Sequence, residues 1–301
     1  MCGIAGLFAK SAEIERALGA HLGSMLEQLG ERGPDSAGVA LFRDRVAPAS
    51  KLSLLGPDGT DWVRLAAGAG DAFGTASIVC DHGDHVVLRI DSDAGAARIW
   101  LSEHHPEVVV IASGHAIELH KRVGSPAALL DGCRVRSQDA THGLGHTRMA
   151  TESRVMTAGS HPFSTGEDLC LVHNGSLSNH NRLRRELRRQ GVRFATENDS
   201  EVAAGYLMWR LRDGSNLAQA LEAALDDLDG FFTFAVGTRD GFAVLRDPIA
   251  CKPAVLAETD NWVAMASEYR AIAVLPGAAD AEMWEPEPAR VYTWSRGAVP
   301  A

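Results

Sequence analysis

The feature that most constrains this chain is its beginning, where a cysteine directly follows the initiator methionine. An apolar run broken by glycine comes next, from Gly3 to Phe8, and favours a strand. Methionine aminopeptidases remove Met1 when the next side chain is small, which would leave Cys2 with a free α-amino group beside its thiol. Amino-terminal amines and cysteine thiols ordinarily titrate near neutral pH, so one residue can supply both nucleophile and general base. The alternative is an ordinary cysteine near a chain terminus.

The composition is that of a globular protein rather than of a membrane-spanning one. The chain has 301 residues, 46% of them hydrophobic and 23% charged, enough for one large core or two small ones. It contains no uncharged apolar run of about 18 residues and no secretory signal at its start. A net charge of −10 disfavours nucleic acid and anionic membranes as partners. We therefore expect a cytoplasmic protein with no nucleic-acid and no membrane partner.

The cysteines and histidines give no metal or disulfide signature. The five cysteines are scattered, odd in number and without a CxxC pair, which favours reduced thiols over a disulfide framework or a cysteine zinc site. Histidines pair as His82/His85 and His104/His105, inside the poorly readable segment 44–140. A metal site also needs a third ligand in a fixed geometry. We expect surface histidines on loops and no metal site.

One basic run, from Arg182 to Arg193, contains six arginines. Leu183 and Leu187 lie four positions apart within it, so the arginines are predicted to form the solvated face of a helix. The alternative is a docking surface for an acidic partner.

Periodicity and capping residues place strands early and late in the chain, with helices between them. Ser200 and Asn216 are the predicted first residues, or caps, of two of the helices. Helices are predicted at 11–30, 125–130, 178–189, 201–211 and 216–228. Strands are predicted at 3–8, 39–42, 85–90, 97–101, 108–112, 116–123, 169–173, 230–237, 242–246, 247–255, 262–268 and 291–294.

Four residues far from the N-terminus complement Cys2 for attack on a carboxamide. Such chemistry needs donors for an oxyanion and groups that position the substrate. Asn174-Gly175 follows a predicted strand, so a side-chain amide and a backbone N–H can converge on one oxygen. Arg148 offers a planar fork that matches a carboxylate, and Asp199 can receive an ammonium group. Glutamine and asparagine carry a carboxamide, a carboxylate and an ammonium group. Taken singly, however, Asn174-Gly175 also has an ordinary explanation as a turn, and Arg148 and Asp199 as surface charges.

As a set, these residues resemble the class II glutamine amidotransferases, whose glutaminase domain is an N-terminal-nucleophile hydrolase. The matching blocks occur in the family's order and run from residue 2 to about 270. They are Cys2–Gly6, Arg32–Gly38, Gly145–Arg148, His173–Gly175, Asn198–Glu201, Arg246–Pro248, Lys252-Pro253 and Ala266–Glu268.

The resemblance implies an α+β fold, an αββα sandwich of two antiparallel sheets, with residues 1–301 forming a single domain. Gly33 and Gly145 lie much farther apart than in shorter family members. An inserted region is therefore expected at about 44–118, and it is the expected docking surface for a partner.

The resemblance also implies the roles of the catalytic residues. Cys2 would be the nucleophile, with its own α-amine as the base, and Asn174 and Gly175 would form the oxyanion hole. The implied reaction converts glutamine to glutamate and ammonia through a thioester on Cys2.

Five further residues match family blocks that bind the substrate or support the site. Arg148 would bind the substrate's α-carboxylate and Asp199 its α-ammonium. Arg32 would brace the loop of the nucleophile, and Thr147 of the Gly145–Arg148 block is expected to bind substrate. His161 is also expected to bind substrate; it lies in the segment His161-Pro162-Phe163, which resembles stand-alone amidotransferase subunits.

The resemblance is to stand-alone amidotransferase subunits related to glutamate synthase, such as the subunit of N-methylglutamate synthase. We expect no acceptor domain after the glutaminase region, and a flavin-dependent synthase subunit is therefore the expected partner. An oligomer is also compatible with the sequence. The chain itself is expected to carry no cofactor, because it has neither a cysteine cluster nor a phosphate-binding glycine loop.

Two alternatives remain. One is a glutamine-binding regulatory subunit that has lost turnover, which the intact Cys2, Asn174 and Gly175 disfavour. The other is a different N-terminal-nucleophile amide hydrolase, such as an acylase, which Arg148 with Asp199 disfavours because they suit an amino-acid zwitterion.

Overall fold

The chain builds three antiparallel sheets. The computed structural model describes residues 2–149 and 155–296. Strands in these ranges are β1 (Gly3–Ala9), β2 (Ser36–Phe42), β3 (Ser50–Leu55), β4 (Ala76–Asp81), β5 (His85–Ile90), β6 (Val109–Gly114), β7 (Ile117–Val123), β8 (His142–Arg148), β9 (Leu169–Leu177), β10 (Gly230–Thr238), β11 (Gly241–Arg246), β12 (Val255–Glu258), β13 (Trp262–Ala266), β14 (Glu282–Trp284) and β15 (Val291–Ser295). The α-helices are α1 (Ala12–Gln28), α2 (Trp62–Phe73), α3 (Ala94–His104), α4 (Pro126–Gly132), α5 (His180–Arg189), α6 (Asp199–Arg212), α7 (Leu217–Asp227) and α8 (Tyr269–Ile272).

The larger sheet has seven strands in the order β14-β12-β13-β1-β8-β2-β7. The smaller sheet has the order β15-β11-β10-β9, and the third sheet the order β4-β5-β3-β6. Strand β1 lies between β13 and β8, with Gly3 opposite Thr147. Because Cys2 directly precedes β1, it lies at the end of a central strand of the larger sheet.

The larger and smaller sheets pack face to face and are covered by helices on both outer faces. Their shared core contains side chains from both sheets, among them Phe42, Val172, Phe242 and Met265. Helices α1, α4 and α8 bury the other face of the larger sheet. Helices α5, α6 and α7 bury the other face of the smaller sheet. This is the αββα sandwich, and the predicted α+β fold class is confirmed.

Strands β3–β6 and helices α2 and α3 form what we call the third-sheet unit, residues 50–114, which has its own small core. It docks on β7 through buried polar contacts. Lys51 Nζ donates to Glu118 Oε1 at 2.7 Å, and the backbone N–H of Leu119 donates to Ser53 Oγ at 2.9 Å. The unit lies within the region expected to be inserted at about 44–118, but residues 117 and 118 belong to β7 of the larger sheet.

The third-sheet unit is where secondary-structure prediction was least successful. The predicted strand at 97–101 is part of helix α3, which is capped by Asp93 and buries residues at helical spacing, Ala94, Ala97 and Leu101. Helix α2, capped by Asp61, was not predicted at all. Later in the chain, 247–255 is loop up to β12 rather than strand.

Helix caps account for most of the other boundaries. Ser11 caps α1, which starts where the helix at 11–30 was predicted, and Asn216 caps α7 as predicted, forming a capping box with Gln219. The prediction for α6 was wrong by two residues. Asn198 is its cap and accepts from the backbone N–H of Ser200 at 2.8 Å.

The expected surface histidines are also corrected by the structure. His85 is buried on β5, with only 2% of its surface exposed, and His104 lies in α3. His82 lies in the turn between β4 and β5. Within the described ranges, no helix is long and apolar enough to span a membrane.

Candidate active site

A cavity of about 500 Å³ lies where β8, β9 and the first turn of α6 meet Cys2. Six of the eight residues predicted for the site line it, namely Cys2, Arg148, His161, Asn174, Gly175 and Asp199. The other two, Arg32 and Thr147, lie outside its wall.

Cys2 is half-buried and is held through its backbone. Its carbonyl oxygen accepts hydrogen bonds from Arg32 Nε at 3.1 Å and from Asn174 Nδ2 at 3.4 Å. Arg32 also pairs with Glu268, and this bond lowers the pKa of that carboxyl group. The Cys2 thiol is 3.9 Å from the carbonyl oxygen of Met149. Arg32 therefore lies behind the cysteine and connects it to the end of β13, and the Asn174 amide is adjacent to Cys2.

Asn174 and Gly175 lie inside β9, not after its end as the sequence suggested. Asn174 is buried, with 5% exposed. Gly175 has φ of +151°, and a Cβ placed there would be 2.0 Å from the carbonyl oxygen of Phe231. Only glycine fits this position, and its absence of a side chain leaves the backbone open to the cavity.

Arg148 is the last residue of β8 and is 8% exposed. Side chains alternate across a strand, so Arg148 shares its face with His146, and both line the cavity. Thr147 faces away, and its hydroxyl donates to the carbonyl oxygen of Leu29 at 3.0 Å. Thr147, expected in a substrate-binding block, does not line the cavity, and its contact fixes the end of α1 against β8.

Asp199 is the first residue of α6 and is half-buried. Its Oδ2 accepts from the backbone N–H of Leu177 at 2.9 Å, and the Ser200 hydroxyl donates to Oδ1 at 3.3 Å. A helix N-terminus stabilises a carboxylate. The carboxylate is thus fixed in place with part of its surface open to the cavity.

Arg184 fixes the loop that precedes Asp199. The prediction that the whole arginine run is solvated is wrong for this residue, which is 3% exposed. Its guanidinium donates to the carbonyl oxygens of Thr196 at 2.7 Å and Asn198 at 3.1 Å, and to Glu197 Oε2 at 2.6 Å. Arg184 directly follows the core residue Leu183 on α5, but the spacing of α5 does not reveal the loop carbonyls that Arg184 binds.

Three histidines form one wall of the cavity, of which only His161 was predicted. The ring centroids of His146 and His161 are 4.1 Å apart, and those of His161 and His173 are 6.4 Å apart. Burial lowers the pKa of His146 to about 3 and that of His173 to about 4, and it holds the pKa of His161 well below its ordinary value. His173 Nδ1 is 2.8 Å from the Ser200 hydroxyl. The wall is therefore uncharged at neutral pH.

Lys252 adds a cation to the cavity that the sequence analysis did not assign. Its Nζ lies 4.9 Å from the centroid of the Phe231 ring. Arg148 and Lys252 bring positive charge to the lining and Asp199 brings negative charge, beside the neutral imidazoles of the histidine wall. Such a lining suits a small zwitterion better than an apolar ligand.

The sequence and the fold both have known relatives. A family model described as "Glutamine amidotransferase domain" matches residues 146–274. The chain is 51% identical over 297 residues, 98% of each protein, to the "Glutamine amidotransferase-like protein GlxB" of Rhizobium meliloti (strain 1021). It is 35% identical over 124 residues to "Glutamine--fructose-6-phosphate aminotransferase [isomerizing]" of Escherichia coli (strain K12), covering 41% of this chain and 20% of that protein.

Among solved structures, the fold resembles the glutamine phosphoribosylpyrophosphate amidotransferase from B. subtilis. The TM-score is 0.61 at 20% identity, over 98% of this chain and 47% of the solved one. This chain thus spans about half the length of that protein, and at this identity the likeness concerns the fold.

Proposed function

This chain belongs to the class II glutamine amidotransferase family, and from that premise we propose that Cys2 is its nucleophile and that glutamine is bound and hydrolysed in the cavity beside it. The observation that carries the proposal is convergence. Cys2, Asn174, Arg148 and Asp199 are distant in sequence but line one cavity.

The proposed reaction begins with attack of the Cys2 thiolate on the amide carbon of glutamine, after the α-amine has taken the thiol proton. The carbonyl oxygen becomes an oxyanion, for which the Asn174 amide and the Gly175 N–H are the proposed donors. Collapse of this intermediate expels ammonia and leaves a γ-glutamyl thioester. Water then attacks the thioester, releasing glutamate and restoring the thiol.

The proposed binding of the substrate uses two oppositely charged residues of the cavity lining. Arg148 receives the α-carboxylate in a two-point contact, and Asp199 receives the α-ammonium. His161 is the proposed neutral surface against which the substrate's methylene groups pack. Arg32 acts from behind, through the carbonyl oxygen of Cys2.

The test is covalent labelling with the glutamine analogue 6-diazo-5-oxo-norleucine, together with ammonia release. Cys2→Ala should abolish both, whereas Cys251→Ala, which removes an exposed cysteine elsewhere, should change neither. Intact mass should also show loss of Met1, a residue outside the described ranges. Labelling of another cysteine, or activity in protein that fully retains Met1, would contradict the assignment.

We further propose that the ammonia is passed to a synthase subunit, flavin-dependent and of the glutamate synthase or N-methylglutamate synthase type. The support is chemical, because hydrolysis of glutamine without an acceptor wastes its nitrogen. The proposed docking surface is the outer side of the third-sheet unit, where Val63 and Ile99 are 71% and 59% exposed.

Co-purification from the source organism tests the partner. Val63→Asp with Ile99→Asp should weaken co-elution, while Ile249→Asp, an equally exposed apolar position outside the unit, should not. Unchanged co-elution of the double variant would contradict the docking surface. The isolated chain should show no flavin absorbance.

A further inference from the structure

Three potential metal ligands meet where the third-sheet unit docks on the sandwich. Cys80 lies near the end of β4, His82 follows in the turn to β5, and His120 lies in β7 of the larger sheet. One ligand atom from each, a sulfur and two ring nitrogens, lies within 4.8 Å of the others. The three residues therefore come from both sides of the contact between the two units.

The histidines of this cluster carry buried ring nitrogens that have no hydrogen-bond partner among the described residues. His120 is 1% exposed, and among the described residues neither of its ring nitrogens has a partner; Nε2 of His82 has none either. Buried polar atoms in folded proteins are almost always paired. A neutral imidazole has one ring nitrogen with a lone pair that can bind a metal ion.

The neighbouring histidine shows the contrast. His85 uses both nitrogens, since Nδ1 is 3.1 Å from Asp84 Oδ1 and Nε2 accepts from the backbone N–H of Lys121 at 3.2 Å. His85 is thereby satisfied inside the protein, whereas both ring nitrogens of His120 and Nε2 of His82 have no hydrogen-bond partner among the described residues.

We propose that Cys80, His82 and His120 bind a divalent transition-metal ion, with zinc the best fit. One thiolate and two imidazoles suit zinc and exclude magnesium and calcium, which prefer oxygen ligands. Ligand atoms around a tetrahedral zinc are about 3.3–3.6 Å apart, so a cluster whose atoms lie within 4.8 Å of one another needs to contract by at most about 1.5 Å. A water molecule is the fourth ligand.

Binding exchanges the thiol proton for the metal. Zinc binds the thiolate form of cysteine, so the coordinated ion takes the place of the Cys80 thiol proton, which passes to water. The charges that act on the cluster balance: the carboxylates are Asp81, Asp84 and Glu118, and the guanidinium groups are Arg43, Arg122 and Arg134.

The consequence is structural. None of the three ligands lines the cavity at Cys2. A metal held by β4 and its turn on one side and by β7 on the other joins the third-sheet unit to the sandwich. The pattern escapes sequence analysis because Cys80 and His82 are close in sequence, whereas the third ligand comes from another sheet.

The experiment uses the full chain carrying Cys2→Ala, so that the thiol in the proposed active site cannot bind metal. After dialysis against a chelator, zinc is titrated in competition with a chromophoric chelator, and bound metal is counted by mass spectrometry. We expect one zinc per chain and a rise in Tm on binding. Cobalt(II) should give a thiolate-to-cobalt absorption band and the intense visible bands of a tetrahedral site.

Cys80→Ser and His82→Asn should each weaken zinc binding by about 100-fold or more and remove its effect on Tm. The thiolate band of cobalt should vanish in Cys80→Ser. The matched controls are Cys251→Ser and His104→Asn, exposed residues of the same types, which should leave affinity unchanged. Metal-free Tm values close to the parent's show that the variants fold.

Two results would overturn the proposal. One is a metal-free parent that takes up no stoichiometric zinc at micromolar concentration. The other is zinc affinity that survives in the Cys80→Ser and His82→Asn double variant, since the metal would then lie elsewhere.

Discussion

Arg184→Met tests whether the loop before Asp199 is positioned for substrate binding or serves only the fold. Methionine keeps most of the length and burial of the side chain but donates no hydrogen bond. The change removes the bonds to the carbonyl oxygens of Thr196 and Asn198, and the pair with Glu197. Asp199 directly follows Asn198, so the backbone that leads into Asp199 loses the contacts that hold it in place.

The magnitude follows from these contacts. Hydrogen bonds to a charged donor are each worth about 1.5–3 kcal/mol, and both carbonyls lie on half-buried residues that water can reach. The Glu197 side chain is 83% exposed, so its ion pair adds little. We expect a stability loss of about 2–4 kcal/mol. A displaced Asp199 should weaken capture of the ammonium by about 1–2 kcal/mol, or about 5- to 30-fold.

The assay separates binding from chemistry by labelling with 6-diazo-5-oxo-norleucine over a range of concentrations. The half-saturating concentration should rise by that factor, while the limiting rate at Cys2 changes little. Arg185→Met is the matched control, because Arg185 is the exposed neighbour on α5. A lower Tm with unchanged half-saturation, or an equal effect of Arg185→Met, would refute the positioning role.

Three further predictions concern the site and its pH dependence. Arg148→Lys keeps the charge but loses the planar fork, so KM should rise strongly and kcat should fall less. Asn174→Ala should show the opposite pattern in steady-state kinetics, with kcat lower by about 10²–10³. Equal effects of both substitutions on both constants would contradict both roles. Burial lowers the pKa of His142 to about 4 and that of His146 to about 3, from 6.5. Below pH about 6.5 the unfolded chain therefore binds protons that the folded chain refuses, and stability should fall by up to about 1.4 kcal/mol per pH unit for each histidine as pH drops toward 4. Thermal melts at pH 7 and pH 5 check this, and equal Tm values would contradict it.

Local chemistry predicted those parts of the fold that depend on neighbouring residues. Ser11 and the Asn216–Gln219 pair satisfy backbone groups within one turn, so the starts of α1 and α7 were predictable from spacing alone. The sequence brought the residues of the predicted site to attention through the family's blocks, but not their geometry. The side chains of Thr147 and Arg148 lie on opposite faces of β8 because side chains alternate along a strand. This difference could be deduced only once the bounds of β8 were known.

What could not be predicted depends on contacts between distant segments. Helix α3 carries β-branched and aromatic residues in a short run, which periodicity does not distinguish from a strand. Arg184 is buried because the loop at 196–198 offers it carbonyl oxygens, and no property of α5 announces that loop. The Cys80–His82–His120 cluster forms only because β7 lies beside β4 and its turn, which no local pattern predicts.

The place of Cys2 beside a central strand has a practical consequence for producing the protein. An expression tag ahead of Cys2, or a single residue left by its removal, would acylate the amine that the proposed reaction uses as a base. A tag at the other end avoids this conflict. Strand β15 is the edge of the smaller sheet and lies three strands from β9, about 14 Å at the usual spacing, so a handle placed after it leaves the cavity unobstructed.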